Sequence, residues 1–325
     1  KRLVSLEKAR AQKFDGDWTN YTPPAPKQPG LQVFDDYPLA ELLPLIDWTP
    51  FFNTWELAGR YPAILDDAIV GKQARELFAD AQAMLKKIVD EKWLRAKAVI
   101  GLFPAQSIGD DVIAEVDGKP TTLHFLRQQT DKPVERPDFC LADFIAPQDS
   151  GKADWIGAFA VTAGLGIDAH VARFEADHDD YNAILLKALA DRLAETLAER
   201  MHQRVRTEFW GYAADESLEV DAIIDEQYRG IRPAPGYPAC PEHSEKATLF
   251  RMLDVERNTG MALTESFAMT PAASVSGWYF SHPRSQYFVV GRVSKEQAED
   301  YARRKGVSLA QAERWLAANL DYDPE

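Results

Sequence analysis

Four prolines and two glycines fall within residues 229–246 (RGIRPAPGYPACPEHSEK). Proline fixes φ and supplies no amide donor, so neither a helix nor a sheet ladder runs through such a stretch. It has to be irregular loop, and the rest of the chain has to carry it. A loop this stiff holds its carbonyls, amides and side chains in set directions, as binding loops do. Arg232 stands between Ile231 and Pro233, and Tyr237 follows Gly236. A guanidinium held by rigid neighbours makes a bidentate clamp for a carboxylate. An exposed arginine on a surface turn would have the same local sequence.

Around this loop, strand-like text comes in clusters and helical text in blocks. Residues 97–103 (KAVIGLF) are apolar and β-prone. Residues 111–116 and 121–126 flank Asp117-Gly118, a favoured hairpin turn pair. Residues 155–162 (WIGAFAVT) are nearly all apolar, which predicts a central strand. Two further β-like runs, 273–280 and 287–293, bracket the turn at 281–284. The spacing predicts helices over 3–14, 70–92, 168–206 with a break near 177–180, 243–253, 294–304 and 308–319. Ser294 and Ser308 are N-caps, each with a glutamine three residues on (Gln297, Gln311), as in a capping box. Clustered strands with blocks of helices predict an α+β fold, a twisted antiparallel β-sheet with flanking helices, not strict βα alternation. Residues 22–29 (TPPAPKQP) hold four prolines and read as an extended arm. The chain then divides into a linker helix and Pro-rich arm over 1–30 and one large domain over 31–325.

Charge narrows the partners. With 37 basic and 51 acidic residues the net charge is −14. That disfavours phosphate backbones and anionic membrane surfaces. No apolar run approaches the roughly 18 residues of a membrane span. Two cysteines, Cys140 and Cys240, in 325 residues read as a reducing compartment, hence a cytoplasmic location. Cys240-Pro-Glu-His243 offers metal-ligand types, but no second pair stands at matching spacing, so no metal is expected. The chain opens on Lys1, and the expectation is a fragment of a longer polypeptide.

Catalytic motifs are missing. Gly164-Leu-Gly166 begins a dinucleotide fingerprint, but Ala169 takes the third glycine position and Leu185 and Leu186 lie where the ribose acid belongs. A helix-opening turn accounts for the glycines. There is no Walker loop and no G-x-S-x-G elbow. The six histidines are scattered without a partner pattern. No catalytic residue is expected within this chain.

Residues 232–246 (RPAPGYPACPEHSEK) resemble the ligand loop of the C-terminal activation domain of cobalamin-dependent methionine synthase. Residues 46–52 (IDWTPFF), the hairpin region at 97–126, residues 263–277 (LTESFAMTPAASVSG) and residues 284–288 (RSQYF) resemble that family too, in its order. The resemblance spans essentially the whole chain. It implies a single large C-shaped domain with an extended arm, and a site for S-adenosylmethionine. On the resemblance, Asp47, Arg232, Tyr287 and Phe288 bind the ligand, with Ala234 and Tyr237 from the same loop. Arg232 suits the carboxylate, Asp47 the ammonium or ribose hydroxyls, and the Phe288 main chain the adenine edge. Asp191, Glu195 and Glu199 recur at four on the long helix and share a face. The family places acids of this helix near the ligand, which brings in Glu195, and Asp191 and Glu226 as further candidates.

The resemblance also implies the role: reactivation of the inactive cob(II)alamin form by reductive methylation. S-adenosylmethionine gives the methyl, a flavoprotein such as flavodoxin gives the electron, and the cobalamin rides on a neighbouring domain outside this chain. The enzyme is then the full-length methyltransferase, and the fragment alone is expected to be inactive. Arg292, Lys295, Arg303, Arg304 and Lys305 are a candidate basic patch for the flavoprotein. Trp278, Tyr279 and Phe280 are expected to divide between core and groove floor. The rival readings are a docking module without ligand and a free-standing methyltransferase, against which the missing glycine-rich loop counts.

Overall fold

A computed structural model describes residues 2–325. The chain runs through α1 (Leu6–Ala11), β1 (Gly30–Phe34), α2 (Leu39–Leu42), α3 (Thr49–Thr54) and α4 (Gly71–Asp90). There follow β2 (Arg95–Ile108), β3 (Asp111–Val116), β4 (Lys119–His124), β5 (Asp154–Leu165), α5 (Ile167–Ala176) and α6 (Asp180–Arg204). Then come α7 (Val220–Ile224), α8 (Glu245–Leu253), α9 (Val255–Thr259) and a two-stranded ribbon, β6 (Ala262–Leu263) with β7 (Met269–Thr270). The chain closes with β8 (Ser274–Tyr279), α10 (Lys295–Lys305) and α11 (Leu309–Trp315). The architecture is α+β, as the sequence predicts.

The main sheet has the order β4-β3-β2-β5-β8, all antiparallel. β2 is its axis. It is long enough to take β5 on one side and both β1 and β3, end to end, on the other. Asp117 and Gly118 have φ of 52° and 74°, the left-handed pair that closes a tight hairpin between β3 and β4.

Both faces of the sheet are covered, which is why β5 is buried and apolar along nearly its whole length rather than at alternate residues. On one face lie α4 and α6, through Leu77, Met84, Leu85, Leu189, Leu193 and Leu197 packed with Ile100, Phe159 and Tyr279. On the other, Val99, Phe103, Ile156, Trp278 and Phe280 pack with Leu249, Met252 and Leu253 of α8. Trp278, Tyr279 and Phe280 point alternately to the two faces and all are fully buried. They are core, and none forms the groove floor expected of them. A third apolar cluster seats α10 and α11 through Val293, Ala298, Tyr301 and Leu316.

Several elements differ from expectation for identifiable reasons. Residues 287–293 form no strand; their main chain is tied to loops instead, Val290 N–H to the Pro238 carbonyl at 2.9 Å and Val293 N–H to that of Asn319 at 2.7 Å. α1 is shorter than 3–14 because Ser5 caps it, while Leu3 is already bridged to Thr130. Ser294 and Ser308 do cap their helices, accepting from the Gln297 and Gln311 amides. Neither capping box closes: the Gln297 side chain turns inward to Arg127 and Gln129, and that of Gln311 pairs with Arg314. The break in the long helix falls at residues 177–179, where Asp179 caps α6 by accepting from the Asn182 amide. Gly166, at φ 93°, opens α5, the helix-opening turn that accounts for the Gly164-Leu-Gly166 pattern.

The N-terminal segment packs onto the rest. Leu6 and Ala9 are buried, and Lys27 and Gln28 donate main-chain bonds to Trp210 and Phe209, at the end of the π-helical turn that follows α6. Arg10 pairs with Asp110 at 3.0 Å and Asp300 at 2.8 Å. Beneath it lies Arg127, 1% exposed, held by Asp110 and Asp143, each at 2.7 Å. Burial alone would raise the Asp110 pKa, but the charges of Arg127, Arg10 and Arg304 hold it below the usual carboxylate range. Its stabilising contribution is therefore present above the unfolded carboxylate pKa and is lost as pH falls through the lower folded value.

The Pro-rich loop is laid along the free edge of β8. Ile231 and Phe280 exchange two main-chain hydrogen bonds at 3.1 Å, and Trp278 N–H donates to the Pro233 carbonyl at 2.8 Å. Gly277 makes this approach possible, since a Cβ there would sit 2.7 Å from the Pro233 oxygen and 2.9 Å from the Phe159 ring. Two outcomes are expected in denaturant unfolding. Arg127→Ala strips buried Asp143 of its cation and leaves buried Asp110 with Arg10 alone as its paired cation, and should cost ~3–5 kcal/mol. Gly277→Ala overpacks the loop against the sheet and should cost ~1–3 kcal/mol. Unchanged midpoints would contradict this packing account.

Candidate functional site

Seven of the residues singled out in the sequence meet in one cleft of about 450 Å³: Glu195, Glu226, Arg232, Ala234, Tyr237, Tyr287 and Phe288. That volume lies within the range of small-molecule sites. They arrive from four places. α6 supplies Glu195, the turn after α7 supplies Glu226, the Pro-rich loop supplies three residues, and the segment after β8 supplies Tyr287 and Phe288.

The loop is closed by its own turns. Tyr237 N–H donates to the Ala234 carbonyl at 3.1 Å and Gly236 N–H to that of Cys240 at 2.8 Å. Gly236 has a φ of 96°, and a Cβ there would overlap the His243 ring. This conformation turns Tyr237 out to the rim, where it is 62% exposed.

Arg232 is fixed at both ends. Its main-chain N–H donates to the Tyr287 hydroxyl at 2.9 Å, and its Nη2 donates to Glu199 Oε2 at 2.5 Å. Its side chain is 18% accessible. Burial works against its charge, but Glu199 foremost, with Glu195, outweighs burial and raises its pKa, so it remains a cation throughout the physiological range. The remaining guanidinium N–H groups make no hydrogen bond within the described residues.

Phe288 stacks on Phe139 at 5.5 Å and meets Phe144 edge-on. Its ring is committed to the core, while its main-chain N–H and C=O make no hydrogen bond among the described residues. A purine edge needs such groups. The neighbouring Gln128 side chain holds the Val289 carbonyl at 2.8 Å and steadies the segment. Phe159, Pro233, Pro238, Val275 and Val289 supply the apolar lining. Phe159 and Val275 carry no signature of a site in the sequence, because a strand's apolar residues look alike whether they face a cleft or a core.

Two candidates lie outside this cleft. Asp47 lines an adjoining depression with Trp48, Arg60 and Tyr61, and its carboxylate accepts the Thr49 amide at 3.3 Å at the start of α3. Val220, Asp221 and Ile224 of α7 wall that depression, and Glu226 two residues later lines the Arg232 cleft, so the same segment borders both. Asp191 is exposed on α6 one turn before Glu195 and does not line the cleft.

Behind Arg232 lies a residue the sequence had only as the last of a row. Glu199 does not line the cleft, and its second oxygen is buried without a partner. Around it, His202, Tyr228 and Tyr279 bury polar atoms that have no protein partner, a situation internal water commonly serves. The His202 ring stacks on Tyr279 and meets Tyr228 edge-on. Burial, with Arg206 and Arg232 nearby, holds the His202 pKa well below its ordinary value, so the ring is neutral.

The basic cluster near the C-terminus is largely neutralised. Arg304 pairs with Asp111 and Asp300, Lys305 with Glu245, and Arg303 with Asp300. Arg292 donates to the Leu320 carbonyl. Arg304 and Lys305 brace α10 rather than present charge to solvent. No helix among the described residues is long and apolar enough to cross a membrane.

Comparison with known proteins identifies the family and the fold. The family described as vitamin B12 dependent methionine synthase, activation domain, matches residues 38–306. A crystal structure of the MetH reactivation domain bound to AdoHcy is 56% identical, over 99% of this chain and 100% of that one, with a TM-score of 0.96. The chain belongs to the family of vitamin B12-dependent methionine synthase activation domains.

Proposed function

We propose that this chain binds S-adenosylmethionine in the Arg232 cleft and presents its methyl group to a cobalamin carried by a neighbouring domain. The observation that carries this reading is the convergence, in one cleft, of a fixed guanidinium, two carboxylates and a length of unpaired main chain. Arg232 receives the ligand carboxylate. Glu195 and Glu226 face its ammonium and sulfonium charges. Phe288 offers main-chain groups to the adenine, and Tyr287 and Tyr237 wall the opening. Asp47, across the segment that borders both depressions, is assigned to the ribose hydroxyls. The AdoHcy of the related crystal structure is the demethylated form of the same ligand, which supports the assignment.

The chemistry asks little of this chain. A sulfonium is already activated for methyl loss, so no general base or nucleophile is required. The contribution of these residues is to hold the donor in one orientation, and orientation is a large part of many barriers. The cobalamin supplies the methyl acceptor once a flavoprotein such as flavodoxin has given it an electron. The ligand stays open to a docking domain because Tyr237 and Val289 leave the rim exposed.

Titration calorimetry with S-adenosylhomocysteine should give saturable binding to the wild-type chain. Arg232→Ala should weaken it by at least tenfold, as loss of a charge-assisted hydrogen bond of ~1.5–3 kcal/mol requires. Absence of heat with the wild type would favour a docking module without a ligand. Given homocysteine, methyl-folate and cobalamin, the chain alone should produce no methionine; steady production would contradict a purely presenting role.

A further inference from the structure

The cleft holds more acid than a carboxylate-binding site requires. Glu195 and Glu226 line it beside Arg232, and Glu199 stands behind. A guanidinium paired with either lining carboxylate would have its binding face occupied from within. In the structure it is paired with neither. Among the described residues its only carboxylate hydrogen bond is to Glu199, at 2.5 Å.

We propose that Glu199 is a positioning residue: it grips Arg232 from the rear, away from Glu195 and Glu226, and leaves the guanidinium's front free for the ligand's carboxylate. The inference rests on the ligand reading above and deepens it. Three observations carry it. Glu199 sits within α6, a 25-residue helix, so its own position is fixed by the fold. The pair is mostly shielded, with side-chain exposures of 18% and 21%, so the attraction is screened less than at a surface. No other cation competes for Glu199 among the described residues: Arg206, the second cation near it, is bound to Glu216 through two hydrogen bonds at 2.7 and 3.0 Å. His202 is neutral, and Tyr228 and Tyr279 offer hydroxyls without charge. Glu199 also repels an incoming carboxylate, so the proposal requires that orientation outweigh this repulsion.

The test compares S-adenosylhomocysteine with 5′-methylthioadenosine, which lacks the amino-acid end, by calorimetry on the whole chain. Glu199→Gln should weaken S-adenosylhomocysteine at least tenfold and leave 5′-methylthioadenosine within twofold. In an Arg232→Met background the same change should add nothing, because the two residues act as a unit. If Glu199→Gln does not fold, Glu199→Asp carries the test. It keeps the charge one methylene short and should show the same selective loss. Equal loss of both ligands would mark a structural role and overturn the proposal, as would unchanged or tighter binding of S-adenosylhomocysteine. A wild-type chain that binds neither ligand would overturn the ligand reading itself, and that outcome is separate from any effect of position 199.

Discussion

The site depends on one piece of backbone docking. Residues 231–233 run along the edge of β8, exchange hydrogen bonds with Phe280 and Trp278, and so carry Arg232 to a fixed place beside the sheet. Without that docking, a proline-rich segment would be a stiff but unanchored arm. With it, the loop takes its rigidity from proline and its position from the sheet. Gly277 is the complement on the strand side, a residue without a side chain where the loop must come close. Arg232 then needs only two further contacts, the Tyr287 hydroxyl at its amide and Glu199 at its guanidinium.

The sheet serves this arrangement by being covered on both faces. α6 crosses one face and delivers Glu195 and Glu199 on successive turns, one into the cleft and one behind it. The opposite face, filled by Phe139, Phe144 and Phe280, takes the Phe288 ring and turns its main chain outward. The cleft is thus made where a helix, a loop and an irregular return segment meet at a sheet edge. No single element contains it, and no catalytic dyad is needed within it.

Much of this was legible in the sequence because the signals were local. Asp117-Gly118 fixes its hairpin through two left-handed residues, and the apolar stripe of α4 is visible at helical spacing. Ser294 and Ser308 mark their helix starts. The clustering of Arg232, Ala234 and Tyr237 followed from proline and glycine content together with family resemblance. What was not legible depended on distant partners. Residues 287–293 have the composition of a strand, yet their partners are loop carbonyls, so no ladder forms. Trp278 and Tyr279 look like a cleft's aromatic box but are buried by both layers. Arg304 and Lys305 read as a basic patch, and the acids that neutralise them come from 193 and 60 residues away in sequence or from one turn earlier on α10. Asp47 falls in the adjoining depression because buried Ile46 and Trp48 anchor its segment there.

The claim on which the account turns is that a sheet-docked, proline-stiffened loop presents a guanidinium to an amino-acid carboxylate. A crystal structure of this chain soaked with S-adenosylhomocysteine tests it directly. The account predicts the ligand carboxylate on the front N–H groups of Arg232, the adenine against the Phe288 main chain, and Glu199 still bonded from behind. A ligand seated elsewhere, or one whose carboxylate makes no contact with Arg232, would contradict it.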